Sequence, residues 1–127
     1  MTDVRQKTAE YEYAGRIYSL TCNMNVLADV QEEYDGDLMR ALRSVTSLKS
    51  TLRFLAAMLN DAAETQDLRG EDGKLLRVTA RELGRKLTMT QTTDAAQLIT
   101  KLIMAAMPER EDAEKPKQDS GGNQTKN

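Results

Sequence analysis

Apolar residues recur along this chain with two different periods. Near the start they alternate. Glu10-Tyr11-Glu12-Tyr13 places two tyrosines on one face, Ala14-Gly15 offers a turn, and Arg16-Ile17-Tyr18-Ser19-Leu20 follows, with Tyr18, Leu20 and Cys22 sharing a face. Two short β-favouring runs around a glycine predict a hairpin. An isolated hairpin is marginal in water, so this one needs an apolar support. From Asn23 onward the period lengthens to that of a helix. Asn23 or Asn25 can cap a helix running to about Tyr34, with Met24, Leu27, Ala28, Gln31 and Tyr34 along one stripe and Asp35-Gly36 as its stop. Asp37 opens a short segment with Leu38, Ala41, Leu42 and Val45 on one side. Thr46 or Ser47 caps the clearest helix, in which Leu48, Leu52, Leu55, Leu59 and Ala62 are spaced by four, three, four and three.

A polar loop, Gln66 to Lys74 (QDLRGEDGK), separates this half from two further helices. One spans about Val78 to Leu87. The threonine-rich break Thr88 to Thr92 supplies a cap, and the last helix, about Thr93 to Met107, carries Ala95, Leu98, Ile99, Leu102 and Ala106 on one stripe. Residues 108–127 contain both prolines and, apart from Ala113, no hydrophobic residue. Such a segment cannot bury enough surface to offset the entropy of ordering it, so a disordered polar tail is expected. The predicted architecture is mainly α: a small helical domain of about five helices over residues 1–107, with an N-terminal β-hairpin and a disordered tail over 108–127.

Composition narrows the function. The 127 residues include 18 Lys+Arg against 20 Asp+Glu, a formal net charge of −2 that removes the broad attraction driving nonspecific nucleic-acid binding. No apolar run approaches the ~18 residues that cross a bilayer, and the polar start MTDVRQKTAE does not read as a signal peptide. Histidine is absent and Cys22 is the single cysteine, which excludes His-dependent triads and an internal disulfide. A soluble, intracellular, non-catalytic protein is the favoured class, with no cofactor implied. The acidic pairs Glu32-Glu33, Asp35 with Asp37, and Glu71-Asp72 fall at helix ends and in a glycine-containing loop, where acids cap and solubilise. DLRGED lacks the spacing that wraps calcium, and no glycine-rich phosphate loop occurs. Cys22 reads as a small buried hydrophobe.

Two segments carry candidate function. VTARELGRKLTMTQTTDAAQLI, from Val78 to Ile99, has the outline of a helix-turn-helix with Thr79 and Thr90 as caps and Gln91, Thr92 and Thr93 facing base edges. Asp94 at a position that motif buries, and a reading helix whose only cation is Lys101, count against it. The plainer reading, two antiparallel helices joined by a polar turn, is preferred. The second segment set is methionine. Met104 lies opposite the stripe of the last helix, and Phe54 and Met58 lie on one flank of the Leu48–Leu59 stripe. They form either an adaptable protein-binding surface or a wider buried face.

From Tyr11 to about Gln66 the order of features resembles the tail assembly chaperones of long-tailed phages, prophages and gene transfer agents. The likeness lies in the hairpin around Gly15-Arg16-Ile17-Tyr18-Ser19-Leu20 and a helix with Ala28, Asp29, Glu32 and Glu33 ending at Asp35-Gly36. The Leu38–Ala41–Leu42 turn and a capped helix of the Leu52–Leu55–Ala56–Leu59 kind complete it. The resemblance implies a non-enzymatic protein of the host cytoplasm. Such chaperones coat the coiled-coil tape measure protein, recruit tail tube subunits, and leave before the virion is complete. It also implies that the polar end matches the short product of a frameshifting gene. Phe54, Met58 and Met104 are the candidate partner-binding residues, with the tape measure protein and tail tube protein as partners. Weak homo-oligomerisation is expected, and neither nucleic acid nor a membrane. The alternative function is a small DNA-binding regulator using residues 79–102.

Overall fold

A computed structural model describes residues 7–107, so the expected polar tail at 108–127 lies outside the described residues. Two strands and five helices follow in order: β1 (Ala9–Tyr13), β2 (Arg16–Leu20), α1 (Met24–Glu33), α2 (Leu38–Arg43), α3 (Leu48–Gln66), α4 (Ala80–Lys86) and α5 (Met89–Ala105). The protein is mainly helical, with an N-terminal antiparallel hairpin.

The hairpin pairs Tyr11 with Tyr18, which merges the two apolar strand faces into one. Its turn residues Ala14 and Gly15 have φ of 53° and 80°, the paired positive values that match the twist of a tight hairpin. Tyr13, Tyr18 and Leu20 are buried, and β2 packs on α3. A side chain completes the outer edge of β2. The Gln66 amide accepts from the Ser19 N–H at 2.7 Å and donates to the Ile17 carbonyl at 3.2 Å, as a third strand would. This substitution of one glutamine for a strand protects an otherwise unpaired edge.

The Tyr13 hydroxyl ties the hairpin to α4, donating to Glu82 Oε2 at 3.2 Å. Burial, with the Glu82 charge and hydrogen bond behind it, pushes the Tyr13 phenol up to about 12. Burial raises Tyr11 and Tyr18 as well. An unfolded phenol ionises near ~10. Between that value and about 12 the unfolded chain therefore loses its proton first, and stability falls as pH rises through this window. A phenolate absorbance titration should show the tyrosines lagging behind free tyrosine, and Tyr13→Phe should flatten the alkaline loss of stability. An unchanged slope would remove Tyr13 as its source.

α3 is the axis of the molecule. Ser47 caps it, accepting from the Ser50 N–H at 3.2 Å, and α1, α4, α5 and β2 all pack against it. Every residue from Phe54 to Leu59 is buried, as are Ala62 and Ala63. A stretch of helix apolar on all sides, as this middle of α3 is, must be enclosed on all sides. α1 starts at Asn23, whose Oδ1 accepts from the Val26 N–H at 2.9 Å while its Nδ2 donates to Asp61 of α3 at 2.7 Å. Its buried stripe is Val26, Leu27, Val30 and Tyr34, whereas Met24, Ala28 and Gln31 of the expected stripe are exposed. The valines bury more apolar area than alanine and glutamine, and they turn the helix by that difference. At the base of α1, the Tyr34 hydroxyl bonds to fully buried Ser50, which also bonds to Ser44 at 3.0 Å.

The polar loop after α3 is an ordered connection. Asp67 takes a left-handed conformation (φ 57°) as the α3 cap, and Leu76 donates to the Leu68 carbonyl at 2.9 Å. Asn60 of α3 then pairs its amide with both backbone groups of Val78, accepting at 2.8 Å and donating at 3.0 Å. α4, capped by Thr79, packs on α3 where Gly84 faces Leu52. α5 begins earlier than the expected Thr93. Thr88 and Gln91 form a reciprocal capping box, so the helix opens at Met89.

Candidate functional site

The structure separates the three candidate surface residues. Phe54 and Met58 are both 0% exposed, a correction to their expected place on an open flank. α1, α4, α5 and β2 all pack on α3, so what looks like a flank on a helical wheel faces another of its partners. Met104 is 70% exposed, as its position opposite the Leu98–Leu102–Ala106 stripe implies.

Met104 is not isolated. Large exposed hydrophobic side chains among the described residues are Ile17, Met24, Met39, Leu48, Met89 and Met104. Four of these six line one face. Met39 on α2 and Met104 on α5 border a trough of about 850 Å³ between those helices, floored by Leu42, Val45 and Ile103. Leu48 and Met89 border a second trough of about 590 Å³, between the start of α3 and the first turns of α5. Thr100 lines both, so the two troughs adjoin at that residue of α5. Sequence reasoning gave Met39 and Met89 no place on this surface and put Leu48 on the stripe of the clearest helix, whose first residue is instead exposed. The trough needs α2 to lie beside α5, which only the tertiary fold provides.

The remaining candidates have local roles. Asp37 caps α2, accepting from the Arg40 N–H at 3.0 Å, and Asp72 accepts from the Lys74 N–H at 2.9 Å within the loop. Cys22 is buried, and that burial pushes its thiol up to about 11, away from the reactive thiolate. Among the described residues no group of three or more His, Cys, Asp or Glu side chains is placed to hold a metal ion.

Around the helix-turn-helix-like run, Thr79 caps α4 as its spacing implies, but Thr88 and not Thr90 caps α5. Asp94 is exposed, so the anticipated burial of its carboxylate does not arise. Of the side chains expected to face base edges, Gln91 accepts from the Thr88 N–H at 2.9 Å. Thr92 is buried and donates to the Thr88 carbonyl at 2.9 Å, and Thr93 lines the smaller trough. The helix start itself occupies the first two.

No helix of the described residues is long and apolar enough to cross a membrane. No protein-family model matches the chain, and neither a curated protein nor a solved structure matches it.

Proposed function

We propose that this chain is a tail assembly chaperone of the long-tailed phage kind, a binding protein that holds an apolar segment of the tape measure protein in solution and admits tail tube subunits. The observation that carries this reading is the gathering of Met39, Leu48, Met89 and Met104 on one apolar face. Methionine is unbranched and polarizable, so it repacks against varied apolar partners at little cost. A net charge of −2 gives weak long-range steering, which leaves apolar contact as the main source of affinity.

Co-expression with the tape measure protein of the same genome tests the reading. The wild-type chain is expected to carry that protein into the soluble fraction. Met39→Asp with Met104→Asp should lose the effect while the helical circular dichroism stays unchanged. A tape measure protein that stays insoluble beside the wild-type chain sinks the proposal, and equal protection by the double variant moves the contact off this face.

A further inference from the structure

The two troughs share a period. Met89, Thr93, Ala96 and Thr100 line the smaller and Thr100, Ile103 and Met107 the larger, at successive intervals of four, three, four, three and four residues. That is the spacing of one strand of a coiled coil, where each seam residue helps form a hole for a knob on the facing helix. The middle of this seam is small (Thr93, Ala96, Thr100) and the ends are methionine. Large knobs therefore fit over the centre, and the methionines adapt to whatever flanks them. From Met89 to Ala105 α5 rises about 24 Å, the length of a partner helix of about 16 residues, and Met107 follows just beyond its end.

The charged rim is one-sided. Arg43 and Lys101 are the charged residues lining the two troughs, and no acid lines either. Neither makes an ion pair among the described residues. The acids nearest in sequence are otherwise placed: Asp37 caps α2, and Asp94, the one acid of α5, lines neither trough. Resting on the chaperone reading above, we infer that the occupant is an amphipathic helix of another protein, with large apolar residues at heptad spacing flanked by glutamate or aspartate. A second copy of this chain is a poor occupant, because face-to-face copies set hollow against hollow and cation against cation. Residues 108–127, whose one hydrophobic residue is Ala113, lack the side chains to fill an apolar trough.

The test uses the full chain and three labelled helical peptides with the same leucine heptads, flanked by glutamate, glutamine or lysine. Fluorescence anisotropy at low salt should rank affinity glutamate, glutamine, lysine, with about tenfold or more between the extremes, and added salt should narrow the spread. Arg43→Glu with Lys101→Glu, both at exposed positions, should reverse the ranking. Equal affinities, or a ranking that survives the charge reversal, would overturn the inference. So would sedimentation showing a dimer that excludes all three peptides. The two proposals fail separately. A tape measure protein held in solution with no charge ranking leaves the function and removes this site chemistry, whereas the expected ranking with an insoluble tape measure protein leaves the site and removes the client.

Discussion

Phe54→Asp is expected to leave the chain without a folded state, while Met104→Asp melts like the wild type. Phe54 is 0% exposed at the middle of α3, with α1, α4, α5 and β2 arranged around that helix. Removing the ring alone costs about 3–5 kcal/mol through lost burial and a residual cavity. A carboxylate in its place would need a partner, and one turn along α3 it meets the apolar Ala57 and Met58 on one side and the neutral hydroxyls of Ser50 and Thr51 on the other, while the adjacent Arg53 is paired with Glu33. An unpaired buried charge adds several kcal/mol more. Native domains hold only about 5–15 kcal/mol in total, so the sum exceeds or exhausts the reserve. Met104 is 70% exposed beside an open trough, and a charge there stays hydrated, which keeps the change within about 0.5 kcal/mol. Far-UV circular dichroism and a thermal melt of the two variants make the comparison. Similar melting of both would mean that α3 is not the enclosed axis.

The same pair shows what the sequence makes legible. Local signals carry over well: Asn23, Asp37, Ser47 and Thr79 cap the helices they precede, and Ala14-Gly15 closes the hairpin. These depend on side chains bonding to backbone two or three residues away, so neighbours in sequence suffice to find them. The buried flank of α3 is different. A wheel drawn for a helix with one buried stripe leaves Phe54 and Met58 outside, yet the unbroken run Phe54-Leu55-Ala56-Ala57-Met58-Leu59 is itself the mark of a helix enclosed all round. The Thr88-to-Gln91 capping box was equally visible and moves the start of α5 to Met89. That shift brings Met89 into register with Thr93, Ala96 and Thr100, and the seam appears. The trough itself was not legible. Met39 and Met104 are separated in sequence by all of α3 and α4 and nearly all of α5, and no local pattern brings α2 and α5 to the same trough.

Leu55→Ala tests the core from the same stripe that the heptad-like spacing of α3 first revealed. Leu55 is 1% exposed and Leu48, two turns earlier on the same stripe, is 57% exposed. The stripe therefore starts in solvent, at the edge of the smaller trough, and runs into the interior. Truncating Leu55 removes buried methyl groups from a region where Ala56, Ala57, Ala62 and Ala63 are already small, so little bulk is available to fill the void. A loss of about 2–5 kcal/mol is expected, read as a lower urea midpoint with an unchanged slope. Leu48→Ala should stay within about 0.5 kcal/mol of the wild type in the same experiment, because its side chain gives up little burial. Its effect belongs to binding, since Leu48 borders the trough, and the heptad peptides should bind it more weakly than they bind the wild type. A Leu55→Ala cost below about 1 kcal/mol would mean that α3 relaxes around the void and is not close-packed. A Leu48→Ala cost matching that of Leu55→Ala would mean that the stripe is buried along its whole length, and the smaller trough would then be closed in solution.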